Sequence, residues 1–199
     1  MASEPKCGRL IIISGPSGVG KGTICNRMLE QDRSLALSVS ATTRKMGPGE
    51  EEGREYYFYS KEKFQSVIDA GGFLEWAEIH GNFYGTPRQK VEEYLDQGRD
   101  VILEIDVQGG LQVQKKMGDR CVMIFVVPPS EEELLRRIYG RNREKPEEIA
   151  VRMKTAQWEM AQEEKYQYTV INDDLEVVVD KIFAIIKEAK EEHVSTFNR

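Results

Sequence analysis

The sequence predicts an α/β fold in which a parallel sheet is covered by helices on both faces. Three observations carry that prediction. Leu10–Ser14, Val101–Ile105 and Cys121–Val127 are short apolar runs without polar alternation, the pattern of strands buried on both faces. Segments of helical character lie between them, as crossovers joining parallel strands require. A glycine-rich turn, Gly15–Gly20, follows the first run and leads directly into a helical segment.

The first helix is predicted from about Lys21 to Glu30. Ser38–Ser40 and Tyr56–Tyr59 are rich in β-formers, flank a polar glycine-bearing loop and read as strands of a small excursion. Ser60 is placed to cap a helix to about Ala70, which Gly71-Gly72 ends. Thr86–Gln89 has the form of a capping box with proline at the first helical position, opening a helix that stops near Gly98. Beyond the strand Val101–Ile105, Val107–Met117 reads as a helix, and Ser130–Glu133 is a second capping box for a helix to about Tyr139. Pro146 opens the next helix, ending near Lys165, and Tyr168–Ile171 is a last short strand. Asp173 or Asp174 then caps a helix whose apolar residues Leu175, Val178, Ile182, Ile185, Ile186 and Ala189 keep helical spacing. There is no internal repeat or long linker. The expected plan is one domain over 1–199, with a core of about 1–37, 87–129 and 156–199 and two insertions, about 38–86 and 130–155.

Composition narrows the partners. The 199 residues carry 34 acidic and 28 basic side chains, a net charge of −6, which disfavours a general binder of nucleic acid polymers or anionic membranes. The longest apolar run, Cys121–Val127, falls far short of the ~20 residues of a membrane helix. No signal peptide is expected, since the N-terminal stretch reaches only the four-residue apolar run Leu10–Ile13. Cys7, Cys25 and Cys121 are far apart, with no CxxC pair and only two histidines, which argues against a disulfide framework or zinc site and suits a reducing, cytoplasmic setting. Charge is unevenly spread: Leu134–Lys154 carries seven basic and three acidic residues, a local +4 inside a body of −10. That cluster fits either a small polyanionic ligand or a solvated helical face.

Gly15-Pro16-Ser17-Gly18-Val19-Gly20-Lys21, between a buried strand and a helix, has the context of a phosphate-binding loop of the P-loop NTPase type. Backbone N–H groups of the loop and helix N-terminus can surround a triphosphate, and Lys21 adds a point charge to the β- and γ-phosphates. The residue after the lysine is Gly22, where Ser or Thr would normally contact Mg²⁺, and Thr23 follows. This Gly-Lys-Gly-Thr form resembles adenylate kinases, and implies Mg²⁺ held mainly by phosphates and water. Thr23 suits the α-phosphate, or is an ordinary first-turn helix residue.

Further along lie Ser40-Ala-Thr-Thr-Arg44, Gly53-Arg-Glu-Tyr56, Phe73-Leu-Glu75-Trp, Gly81-Asn-Phe-Tyr84-Gly-Thr86 and Leu103-Glu104-Ile-Asp106-Val-Gln-Gly109. With the phosphate loop, in this order and spacing, the chain from about residue 9 to 190 closely resembles guanylate kinases, which transfer a phosphoryl group from ATP to GMP. The resemblance implies that the first insertion binds the nucleoside monophosphate and the second is a helical lid. It implies that Glu75, Ser40 and Thr86 read the guanine. Guanine's adjacent N1–H and N2–H₂ donors suit one carboxylate, which adenine would leave unpaired. Thr86 also has the look of a helix cap. Arg44, Tyr56 and Tyr84 match residues that hold the GMP phosphate, but the usual second arginine is replaced by Gly47. The clamp is then one cation short and weaker binding of GMP is expected; Lys45 and Arg54 are nearby cations that do not match the motif. Glu104 is assigned a water-mediated role at Mg²⁺ near GMP, while Asp106 stays open between metal, GMP and helix capping.

Arg137, Arg141 and Arg152 match the lid arginines that close on the transferring phosphoryl group, which with Lys21 makes up the catalytic set. A loose transition state spreads charge over the equatorial oxygens, so positioning and electrostatics suffice. The GMP phosphate, with a second pKa of about 6, needs no histidine base, and His80 and His193 read as incidental. Asn172 matches a position near the ATP adenine, with helix capping its plain alternative. ATP and GMP, and with them dGMP, are the expected small-molecule partners; the sequence does not give an oligomeric state. Catalytically inactive scaffold domains of this kind, and an adenylate kinase-like enzyme, are the competing readings. The intact loop and arginines weigh against the first and Glu75 against the second.

Overall fold

The computed structural model describes the backbone of residues 8–79, 81–139 and 146–197 and the side chains of 8–79, 81–137 and 153–191. Cys7, His80, Arg141, Arg152 and His193, singled out above, lie outside the described side chains.

Five parallel strands form the main sheet: β1 (Leu10–Ser14), β2 (Ala36–Leu37), β7 (Val101–Glu104), β8 (Cys121–Val127) and β9 (Tyr168–Ile171), in the order β2-β7-β1-β8-β9. Alternate residues of β1 serve opposite faces, and both faces are apolar. Ile11 and Ile13 pack with Ile24, Cys25 and Met28 of α1 (Lys21–Gln31) and with Val178, Val179 and Ile182 of α7 (Leu175–Phe197). Leu10 and Ile12 join Val91 and Leu95 of α3 (Arg88–Asp96) and Val107 and Val113 of α4 (Val107–Met117) on the other face. This double burial is why the strands read as unbroken hydrophobic runs. Asp174 caps α7 through the N–H of Val177.

A second sheet holds β3 (Ala41–Thr42), β4 (Tyr57–Phe58), β5 (Phe73–Ile79) and β6 (Asn82–Pro87), in the order β4-β3-β6-β5. The strand expected at Ser38–Ser40 is not there. Ala36–Leu37 pairs with β7 in the main sheet and Ala41–Thr42 with β4 and β6 in the small one, and Ser38–Ser40 is the step between them. The sequence reading also missed the β5–β6 hairpin. The helix α2 (Lys61–Asp69) is capped by Ser60 and packs Phe64 onto Phe73 and Phe83 as this sheet's own core. β5 joins the two bodies by alternation: Phe73 enters the small core while Leu74 enters the main one.

After β8, α5 (Glu131–Tyr139) starts at Ser130, whose hydroxyl accepts from the N–H of Glu133. Then α6 (Pro146–Met160) returns along the mouth of the sheet, its Ala156 and Met153 packed on Leu134 of α5. Among the described residues no helix is long and apolar enough to cross a membrane.

Candidate active site

A cleft of about 830 Å³ opens between the carboxyl ends of β1 and β7, the small sheet and α6, where ligands of open parallel sheets bind. Its floor is the glycine loop. Gly20 has φ +101°, and a Cβ there would lie 2.5 Å from Asn172 Nδ2, so the position takes glycine on both counts. Asn172 donates from Nδ2 to Val19 O at 2.7 Å, and Arg137 donates to the same carbonyl from Nη1 at 3.1 Å. Arg137 also reaches Asn172 O and is oriented by Glu133, 2.7 Å from its Nε. These two residues brace the loop from outside, and neither lines the cleft. Lys21 folds its ammonium onto the loop, donating to Gly15 O at 2.7 Å and Pro16 O at 3.2 Å. Burial pushes its pKa down, while Glu159, Glu104 and Asp106 hold it up.

Across the cleft, Glu75 on β5 is 4% exposed, and its Oε1 accepts from the Thr86 hydroxyl at 2.6 Å. Burial pushes this carboxyl up to about 7, with Asp106 adding to the rise and Thr86 and Lys116 opposing it. Gly109 of α4 lets the helix approach: a Cβ there would lie 2.7 Å from Glu75 Oε2. Thr86 does not cap α3, contrary to its capping-box appearance. The N-cap is Pro87, with no side-chain cap bond, and the Thr86 hydroxyl is committed to Glu75. Asp106 caps α4 by accepting from Gly109 N at 3.0 Å, and lines the cleft as well.

Ser40, Arg44, Tyr56 and Tyr84 line the wall nearest the small sheet. Tyr56 and Tyr84 meet edge to face, ring centroids 5.8 Å apart, and the Arg44 guanidinium lies 5.3 Å from the Tyr56 ring centroid. Arg44 forms a two-point pair with Glu50 at 2.7 and 2.9 Å, and Glu50 also accepts from Gly47 N at 2.6 Å. The carboxylate thus occupies the guanidinium fork. Of the nearby cations, Arg54 is engaged by Glu51 and Glu55, and neither it nor Lys45 lines the cleft.

Glu104 ends β7 with its carboxylate against the loop helix; a Cβ on Gly22 would lie 3.3 Å from its Oε1. The protein around Glu104 pushes its carboxyl up and Lys21 opposes this. Among the described residues no cluster of three or more His, Cys, Asp or Glu could hold a metal ion. Glu104 and Glu159 are the carboxylates nearest the loop, a sparse donor set that suits a hydrated Mg²⁺ arriving on a nucleotide better than a bare resident ion.

The structure therefore gathers Ser17, Gly18, Gly20, Lys21, Gly22, Thr23, Ser40, Arg44, Tyr56, Glu75, Tyr84, Glu104 and Asp106 in one cleft, with Thr86 just behind Glu75. Sequence reasoning missed Glu50, and also Thr155, Trp158 and Glu159 of α6, which line the cleft. The i, i+3, i+4 spacing of the last three marks one helix face, the signal that was available.

Comparison with known proteins agrees with this geometry. The family model for guanylate kinase matches residues 7–189. A guanylate kinase of Caldanaerobacter subterraneus subsp. tengcongensis is 50% identical over 92% of this chain and 89% of its own. One from Desulfitobacterium hafniense is 48% identical over 94% and 93%. The crystal structure of guanylate kinase from Anaplasma phagocytophilum superposes with a TM-score of 0.76 at 37% identity, covering 92% of this chain and 86% of that one. A gluconokinase from Sinorhizobium meliloti shares the fold alone, with a TM-score of 0.52 at 14% identity. The chain belongs to the guanylate kinase family.

Proposed function

We propose that the cleft performs its family's reaction with the following division of labour. The chain is an ATP:GMP phosphotransferase, converting ATP and GMP to ADP and GDP. The observation that carries the residue assignment is the buried Glu75–Thr86 pair facing the phosphate loop across one cleft. Ionised Glu75 accepts N1–H and N2–H of guanine, and the Ser40 hydroxyl donates to O6; for Thr86 to join it, its one hydroxyl proton must turn from Glu75 to O6. Arg44, Tyr56 and Tyr84 hold the GMP phosphate, which requires the Arg44 guanidinium to exchange Glu50 for phosphate. Glu104 and Asp106 complete the GMP side.

Residues 15–23 cradle the ATP triphosphate, with Lys21 turning from the loop carbonyls to the phosphates. Asn172 and Arg137 shape the loop's outer wall, where the adenine is expected. Arg141 and Arg152, with Arg137 once it leaves the Val19 and Asn172 carbonyls, supply positive charge to the transferring group as the lid closes and excludes water. Glu104 would meet the water shell of Mg²⁺ arriving with ATP, and that ion, when bound, would supply positive charge beside the triphosphate. The working units are a core of about 1–37, 87–129 and 156–199, a GMP-binding insertion of about 38–86 and a lid of about 130–155. The expected substrates extend to dGMP, and the expected compartment is the cytoplasm.

A coupled assay of ADP release, offered GMP, dGMP, AMP and UMP separately, tests the assignment. GMP and dGMP are expected to be turned over at least 10³-fold better than AMP. Comparable rates with AMP would overturn the reading of Glu75.

A further inference from the structure

The contact that the reaction does not explain is on α6. Thr155, Trp158 and Glu159 form one helical face toward the cleft, while Ala156 and Met153 face α5. Glu159 is 6% exposed, and its Oε2 accepts from the backbone N–H of Ser17 at 3.2 Å. A carboxylate oxygen on a phosphate-loop N–H occupies a position built for a phosphate oxygen. Burial raises the Glu159 carboxyl, and Lys21 opposes the rise, so the carboxylate lies within the field of the same ammonium that serves the phosphates.

We propose that Glu159 is the resident anion of the phosphate loop: in the nucleotide-free enzyme it holds Ser17, and ATP must displace it to bind. Glu159 then determines donor affinity, and its departure frees α6 to move as the triphosphate arrives. The contact also gives the empty loop a partner for one of its donors, a second carboxylate-for-phosphate exchange beside that of Glu50 on Arg44. The proposal rests on the reading of residues 15–23 as the ATP site.

The test compares wild type with Glu159→Gln and Glu159→Asp, whose shorter side chain keeps the charge but withdraws it from Ser17. The KM for ATP and the inhibition constant of inorganic tripolyphosphate are expected to fall about tenfold in Glu159→Gln and several-fold in Glu159→Asp, with the KM for GMP within twofold. In a Trp76→Phe background Trp158 is the remaining tryptophan of the chain's two. Its emission is expected to shift when tripolyphosphate binds, and Glu159→Asp, which withdraws the acceptor from Ser17, is expected to show the shifted spectrum without ligand. A fall confined to Glu159→Gln would mean charge repulsion without the contact and would overturn the proposal. So would an unchanged or raised KM for ATP in both variants with melting temperatures preserved. Lys21→Ala separates the two levels of inference. If it leaves ATP affinity unchanged, the loop is not the ATP site and both readings fall. If it weakens ATP binding while the Glu159 variants fail to strengthen it, the Glu159 proposal alone falls.

Discussion

Glu75 is buried where its charge is unwelcome, and that conflict is functional. The guanine edge requires an ionised carboxylate, yet the empty pocket holds this carboxyl near 7. Binding of GMP therefore draws a proton off Glu75, so the KM for GMP is expected to rise as pH falls below about 7. Isothermal calorimetry in buffers of different ionisation enthalpy should find net proton release in this range beyond that from the GMP phosphate. The same shift bears on stability. Because the folded-state pKa is raised, the folded form binds more protons than the unfolded between about 4.5 and 7, and stability falls as pH rises through that window. The loss is about 3 kcal/mol, and Glu75→Gln should recover it: a higher melting temperature at pH 8, together with collapse of GMP turnover. Beside Arg44 and Glu50, Gly47 tests the clamp. A Cβ there would lie 3.1 Å from Glu50 Oε2, the movable end of a side chain, so Gly47→Arg fits and is expected to lower the KM for GMP roughly tenfold. An unchanged KM would mean that Arg44 and the tyrosines suffice.

At the scale of elements, α4 links the base site to the core. Asp106 caps its first turn, and Gly109 in that turn touches Glu75. Gly109→Ala adds a methyl where only 2.7 Å separates it from Glu75 Oε2, while alanine is the better helix former by about 1 kcal/mol. The expected result is a KM for GMP raised at least tenfold with an undiminished melting temperature and an unchanged KM for ATP. Loss of both affinities together would show instead that the helix had shifted. Elements differ in how well the sequence announces them. The main-sheet strands β1, β7 and β8 and the caps at Ser60, Ser130 and Asp174 were legible because burial on both faces and short-range hydrogen bonds leave local signatures, whereas the two-residue β2 was not. The β5–β6 hairpin was not, because β5 divides its side chains among two cores, the cleft and solvent, which blurs strict alternation. The residues proposed for the site came from the resemblance of their motifs to those of the family, whereas nothing local signals Glu50 on Arg44 or Glu159 on Ser17. Both are polar contacts that no periodicity announces, and the second joins residues 142 positions apart.

Over the whole molecule the two sides of the cleft belong to bodies with separate cores. The phosphate loop rises from the main sheet, packed on both faces. Arg44, Tyr56 and Tyr84, proposed above for the GMP phosphate, stand on or beside the small sheet, whose core is Ala41, Phe64 and Phe73 with Tyr57, Tyr59, Val67, Ile68 and Phe83 around it. Phe64 is fully buried and stacks on Phe73 with centroids 4.5 Å apart. Truncating it removes about 3–5 kcal/mol, a loss that a cluster this small has little means to absorb. If the two cores are energetically distinct, Phe64→Ala lowers the opening free energy of residues 41–87 far more than that of β1, β7 and β8. Hydrogen exchange is expected to show faster exchange in β3, β5 and β6, with the main sheet protected as in wild type. ADP affinity should stay within about twofold while GMP turnover falls at least tenfold, and saturating GMP should restore part of the lost protection by mass action. A single cooperative loss, with the main sheet exchanging alongside the small one and ADP binding lost in step, would show that Leu74 and the α4–β5 contact fuse the two bodies into one folding unit.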